Sequence, residues 1–282
     1  MLKSNVDAVK IKKIINGNTT DEQDLIAVEE PIEIRLGYGE ITQREQKKVA
    51  VTMRTPGNDF ELALGFLFTE GILQSTKQIL KIQYCTENNT LEENNNIVRV
   101  ELLPSVTFNL NSLQRNFYTT SSCGVCGKES IEAIKTVCST DTTNIKLSVS
   151  STLLCSLPEI LKNKQTVFKH TGGIHACGLF DSKGNLLLLR EDVGRHNAFD
   201  KLIGAALSTD SINLSDCIVL LSGRASFELI QKAAMAAIPI VCAIGAPSSL
   251  AVSTAQEFGI TLVGFLKENR MNIYSNSERI NQ

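Results

Sequence analysis

The stretch from residue 217 to residue 266, CIVLLSGRASFELIQKAAMAAIPIVCAIGAPSSLAVSTAQEFGITLVGFL, decides the fold. It holds three short apolar runs, Cys217–Leu221, Pro239–Ile244 and Ile260–Leu266. Between them lie two segments with helical spacing, Ser226 to Ile238 and Ser248 to Phe258. Apolar runs of this length bounded by turn residues are strands buried on both faces. Their alternation with helices predicts an α/β layer with largely parallel strands. Just upstream, Ile174–Phe180 and Leu186–Arg190 flank Asp181-Ser182-Lys183-Gly184-Asn185, a hairpin signal, and a helix is expected from about Gly194 to Leu207.

The first half of the chain reads as a smaller α+β region. Pro31–Leu36 alternates apolar and polar residues as a half-buried strand does, and Lys48–Met53 looks like its partner. The turn Thr55-Pro56-Gly57-Asn58-Asp59 leads into a helix expected to run to about Leu73, and strands follow near Ile79–Tyr84 and Ile97–Leu103. The Asn/Glu-rich segment between those strands is a surface loop. A helix is expected from about Thr152 to Lys164, with Pro158 arguing against an unbroken one. Three units result: a flexible tail over 1–30, the α+β region over 31–118, and the main α/β domain over 119–282.

Composition is that of a soluble globular protein, with 43% hydrophobic and 21% charged residues. The formal net charge is −2 and no dense Lys/Arg block occurs, so neither nucleic acid nor anionic membrane is the expected partner. No signal peptide or membrane span is legible, which places the eight cysteines in a reducing compartment as mostly free thiols. Cys217 and Cys242 fall in apolar runs and are expected in the core.

Two strand-to-helix turns are suited to ligands: Ser222-Gly223-Arg224-Ala225-Ser226 and Gly245-Ala246-Pro247-Ser248-Ser249. Ligands of open α/β sheets bind beyond the carboxyl ends of strands, where helix N-termini point at them. Glycine lets the backbone come close, and Arg224 can grip a phosphate with two hydrogen bonds. Each serine also has the plainer task of capping its helix. No GxGxxG or P-loop sequence is present. The segment Arg190-Glu191-Asp192-Val193-Gly194-Arg195-His196-Asn197 supports two readings. It is either a solvated helix start, with Asp192 as N-cap and a His196–Asp200 pair, or a site where His196 moves a proton.

The reactive centre is Ser121-Ser122-Cys123-Gly124-Val125-Cys126-Gly127-Lys128. Ile131, Ile134 and Val137 recur at helical steps after it, so the cysteines sit at or before a helix N-terminus. A thiolate there is stabilised and becomes nucleophilic near neutral pH. CxxC is also half of a zinc site, but no second ligand pair follows, with His175 and Cys177 the nearest candidates; no metal is expected. The zinc-deaminase signature is absent: Ser122 stands where that motif has proline, and no histidine is followed by x-Glu. A thioredoxin-like dithiol lacks its βαβ context.

Several segments together resemble the FdhD family of formate dehydrogenase accessory sulfurtransferases. They are RTPGNDFELALGFLFTEGIL (54–73), TTSSCGVCGK (119–128), TGGIHACGLFD (171–181), REDVGRHNAFDKLIG (190–204), SGRASFELIQKA (222–233) and APSSLAV (246–252). The resemblance implies a cytoplasmic, dimeric sulfur carrier. Cys123 would accept sulfur from a cysteine desulfurase as a persulfide, with Cys126 assisting. The acceptor would be the molybdenum cofactor, bis-molybdopterin guanine dinucleotide, before it serves formate dehydrogenase. The family's cofactor-binding stretch falls on Phe265, Leu266, Lys267, Glu268, Asn269 and Arg270. Arg224 and Ser226 join them from the loop reading, and GDP would stand in for the cofactor's nucleotide end. The implied scaffold is a cytidine deaminase-like three-layer sandwich. Two other functions stay in view: a CxxC dithiol oxidoreductase and a non-catalytic cofactor chaperone.

Overall fold

The computed structural model describes residues 3–85, 95–106, 142–143 and 145–282. Cys123, Cys126 and the helix expected after them lie outside the described residues. So does most of the Asn/Glu-rich segment.

The chain opens on a hairpin, β1 (Val6–Ile15) with β2 (Asn18–Ala27), paired antiparallel along its whole length. This is the segment expected as a tail; its Asn16-Gly17 turn takes both residues to positive φ, as a tight hairpin turn requires. Its side chains are nearly all exposed. The α+β region follows with β3 (Glu30–Tyr38), β4 (Glu45–Arg54), α1 (Asp59–Thr69), β5 (Ile79–Tyr84) and β6 (Ile97–Leu102). Its strands form a four-stranded sheet in the order β4-β3-β6-β5. Ile32, Ile34 and Leu36 alternate inward and meet Leu62 and Leu67 of α1 in one core. The helix ends at Thr69, short of Leu73, because Gly71 turns left-handed with φ 72°. Leu73 is nonetheless buried, folded back by its N–H bond to the Leu67 carbonyl.

The second half supplies β7 (Val149–Ser150), α2 (Ser151–Lys164), α3 (Thr166–Thr171), β8 (His175–Phe180), β9 (Leu186–Asp192), α4 (Arg195–Leu207) and β10 (Ile218–Leu221). It continues with α5 (Phe227–Met235), β11 (Ile240–Ala243), α6 (Ser249–Glu257), β12 (Thr261–Lys267), β13 (Arg270–Ser275) and β14 (Ile280–Asn281). The main sheet has six strands in the order β13-β12-β11-β10-β8-β9. β10, β11 and β12 pair in parallel, whereas the β12–β13, β10–β8 and β8–β9 pairings are antiparallel. The expectation of a largely parallel sheet is thus met at its centre and corrected at its flanks. The reason is local: β8–β9 and β12–β13 are joined by short turns, which only antiparallel neighbours permit.

Successive residues of the central strands feed opposite cores. Val219, Leu221, Val241 and Ala243 pack against α4, α5 and α6. Ile218, Leu220, Ile240 and Cys242 pack against Leu154, Leu157 and Leu161 of α2. Helices therefore cover both faces, which explains why these strands read as unbroken apolar runs. Helix α2 continues through Pro158. Burial of its three leucines offsets a break that costs about 3 kcal/mol in an exposed helix.

The two halves are joined where α1 crosses α4. A Cβ on Gly65 would lie 1.9 Å from the Asp200 carbonyl oxygen, and one on Gly204 would lie 1.9 Å from that of Glu61. Only glycine at both positions lets the helix backbones touch. Around this contact the charges are buried and paired. Lys201 reaches Asp192 at 2.7 Å and the Thr55 carbonyl at 2.8 Å. Lys232 reaches Asp200 at 2.9 Å, and the Thr69 hydroxyl donates to the same carboxylate. Arg54 grips Asp59 with two nitrogens, at 3.0 and 2.9 Å.

Candidate functional site

The carboxyl ends of β10, β11 and β12 lead into three segments far apart in sequence, and backbone hydrogen bonds stitch them together. The Gly245 N–H donates to the Gly223 carbonyl at 2.9 Å, and the Phe265 N–H to the Gly245 carbonyl at 3.1 Å. Ala225 donates to Ala246 and Ser248 to Ala225, closing a bridge between Ala225 and Pro247. Both turns singled out from the sequence and the 265–270 segment thus occupy one end of the sheet.

Within 265–270, Lys267 pairs with Arg270 and Glu268-Asn269 forms the turn between β12 and β13. Lys267, Glu268, Asn269 and Arg270 are all exposed, as is Arg224, and none has a side-chain partner among the described residues. Leu266 differs: its side chain is buried in the core beneath α2. Phe265 sits at a β-bulge with φ 52°, a left-handed conformation that costs a phenylalanine about 1 kcal/mol or more. The bulge turns its side chain outward, leaving it 38% exposed between two buried neighbours, Gly264 and Leu266.

Ser226 and Ser248 diverge. The Ser248 hydroxyl accepts from the Ala251 N–H at 3.2 Å and caps α6. Ser226 makes no such cap; its hydroxyl lies 3.3 Å from Nε2 of His196, and Glu228 lies 3.8 Å from the same nitrogen. Burial works to raise the Glu228 carboxyl, but hydrogen bonds from His196 and Ser226 outweigh it and bring the group down to about 2. A fixed negative charge therefore already faces the start of α5.

The Arg190–Asn197 segment departs from the reading as a solvated helix start. Asp192 does not cap α4: Gly194 is the N-cap. The Asp192 carboxylate instead accepts from Gly194 N–H, Thr55 N–H and Asn197, besides pairing with Lys201. The His196–Asp200 pair does not form, because Asp200 is taken by Lys232 and Thr69. This weld was invisible in sequence because its partners, Thr55, Thr69 and Lys232, come from distant segments.

A cleft of about 870 Å³ adjoins the stitched loops. It lies between α2–α3 and the strand ends, and His175, Ser222, Ile244 and Glu268 contribute to its wall. His175 reaches it because β8 runs antiparallel to β10 with Cys177 opposite Leu221, so the start of β8 extends past the last residue of β10. Cys177, two residues on, is enclosed in the core, and burial pushes its thiol well up. Cys217 and Cys242 are core residues as expected; burial drives the Cys217 thiol to about 11. Among the described residues, no cluster of His, Cys, Asp and Glu is arranged to hold a metal ion. No described helix is long and apolar enough to cross a membrane.

A mixed α/β protein with an exposed cationic turn beside a cleft is the class these observations define. The chain belongs to the FdhD/NarQ family, whose model matches residues 27–281. A protein of Streptomyces avermitilis named sulfur carrier protein FdhD is 48% identical over 276 residues, spanning 96% of this chain and 94% of its own. One of the same name from Sulfurisphaera tokodaii is 42% identical, spanning 98% and 99%. The fold matches a crystal structure from Desulfotalea psychrophila, provisionally assigned as a formate dehydrogenase accessory protein. That match has a TM-score of 0.73 and 22% identity over 99% of this chain and 100% of the other.

Proposed function

We propose that this protein is a sulfur carrier acting in the maturation of formate dehydrogenase, with Cys123 as the residue that holds the sulfur. The observation that carries the reading is the stitching of residues 222–226, 245–249 and 265–270 into one strand-end site on a chain of this family. Exposed Arg224, Lys267 and Arg270 suit the phosphates of a guanine dinucleotide tail, and the outward ring of Phe265 suits its base. The acceptor is then bis-molybdopterin guanine dinucleotide, treated as substrate, which brings the molybdenum centre that takes up sulfur. GDP binds as its nucleotide part. Ser226 contributes at the rim, shared with His196.

Sulfur arrives by exchange with a cysteine desulfurase. The Cys123 thiolate attacks the donor's terminal persulfide sulfur; the donor S–S bond breaks and a new one forms on Cys123. The donor leaves as a thiolate, so no external oxidant or reductant is needed. On direct delivery the S–S bond breaks, Cys123 leaves as a thiolate, and the acceptor supplies the two electrons that take the transferred sulfur to the sulfide level. In a second route Cys126 attacks Cys123 of the persulfide: a Cys123–Cys126 disulfide forms, hydrosulfide leaves, and a dithiol reductant of the thioredoxin class returns the pair to thiols. Four of the described cysteines are poorly suited to the carrier role, since burial raises the thiols of Cys155, Cys177, Cys217 and Cys242. We further propose a deaminase-like sandwich working as a homodimer in the cytoplasm.

The test is to incubate the protein with a cysteine desulfurase and labelled cysteine, digest without reductant, and map the label by mass spectrometry. Addition of one sulfur atom at Cys123 is expected. Absence of label while the desulfurase turns over sinks the proposal.

A further inference from the structure

His175 is a half-buried polar group on the cleft wall whose ring has no hydrogen-bond partner among the described residues. The ring lies against Gly223, where a Cβ would sit 3.3 Å from Nδ1. Glycine there makes room for the imidazole. His196, by contrast, has Ser226 and Glu228. Polar groups removed from water are normally paired, so a half-buried imidazole beside a cleft is completed by what enters it.

The charged groups facing it are Arg195 and His196 at the start of α4, Asp192 at the end of β9, and Glu159, Lys162 and Glu268 on the cleft wall. Burial, and then the charges of Arg195 and His196, hold His175 below the usual histidine value, with Asp192 opposing them. The ring is therefore neutral at neutral pH and has one nitrogen free to accept a proton. The cations that resist a proton on the ring also favour an anion beside it. An acid that gives its proton to His175 leaves an ion pair in which each charge stabilises the other.

We propose that the cleft takes the sulfur-bearing end of a ligand and that His175 accepts the proton of its thiol. The S–H bond breaks, an N–H bond forms on the imidazole, and sulfur keeps the electron pair. No oxidant or reductant takes part. A thiol is the class that fits, since its pKa of about 8.5 lies near enough to an imidazole's for transfer at neutral pH, and an alcohol's does not. The inference rests on the sulfur-carrier reading. Glu268 belongs both to the cleft wall and to the β12–β13 turn, so the cleft adjoins the proposed nucleotide site.

Sulfide is the probe: hydrogen sulfide is the smallest molecule with a transferable S–H, and hydrosulfide is the anion left beside the imidazolium. The full chain has three histidines, His170, His175 and His196, which NMR resolves with the help of His→Gln substitutions. Each is titrated between about pH 5 and 8 in chloride or in hydrosulfide at equal ionic strength. The His175 midpoint should rise by about one pH unit in hydrosulfide, with His170 unmoved. In His175→Gln, the hydrosulfide-dependent shift of the Gly223 amide should require about tenfold more probe, consistent with loss of one charge-assisted hydrogen bond. An unmoved His175, or equal shifts at all three rings, overturns the inference. If Cys123 still takes label from the desulfurase in that case, the sulfur-carrier reading stands without it.

Discussion

At the α1–α4 junction, Asp192, Lys201, Asp200 and Lys232 are buried and each has an ionic partner. At the strand ends, Arg224, Lys267 and Arg270 are exposed and have none among the described residues. Glycine separates the regions in the same way. Gly65 and Gly204 are pressed against carbonyl oxygens that a Cβ would strike, whereas the nearest atom to a Cβ on Gly223 is an imidazole at 3.3 Å. The first region spends its polar groups on holding the two halves together. The second holds its polar groups in reserve for a ligand, positioned by backbone bonds that leave the side chains free.

The comparison breaks most visibly at Asp192. Asp192→Ala strands the Lys201 ammonium and removes the acceptor for three further donors, so unfolding free energy should fall by about 4 kcal/mol. Urea denaturation reads this as a lower midpoint at an unchanged slope. A midpoint within error of the parent would mean that the junction does not hold the halves together. Gly204→Ala comes next, at about 2 to 3 kcal/mol, because its Cβ would meet backbone that cannot move aside. By contrast, Gly223→Ala should stay within about 0.5 kcal/mol, since only an unpaired side chain must give way. Equal losses at the two glycines would erase the distinction.

Glu228 supplies a smaller effect with a defined pH window. Its folded value of about 2 lies below its ordinary 4.5, so its stabilising contribution is fully present above 4.5 and is lost as pH falls through about 2. Glu228→Gln should therefore narrow its stability gap to the parent over that interval. A gap independent of pH would show that His196 and Ser226 do not hold the carboxylate.

The legible part of the fold was the part whose burial is regular. Val219, Leu221, Ile218 and Leu220 are apolar in succession because helices lie on both faces, and that pattern needs no distant information. The β1–β2 hairpin was missed because nearly all of its residues are exposed, leaving no apolar alternation to read. Strand β13 was missed for a related reason: Arg270, Asn272 and Ile273 are exposed on a sheet edge. At the site, the Ser222–Ser226 and Gly245–Ser249 turns could be recognised from their glycines and serines. The third segment carries no such signal, since Phe265 acquires its outward position from a bulge in the β12–β13 pairing. His175 was legible only as one of the nearest candidates, with Cys177, for a second ligand pair. Its proximity to Gly223 depends on antiparallel pairing of β8 with β10 across more than forty residues of chain.

Sulfur on one residue and the ligand on another set of loops is the central claim, and one titration separates them. Calorimetry with GDP should give Cys123→Ala the same affinity as the parent, while Arg224→Ala and Arg270→Ala each weaken binding about tenfold, the effect of one charge-assisted contact. Loss of GDP binding in Cys123→Ala, or unchanged curves for both arginine variants, would contradict the account.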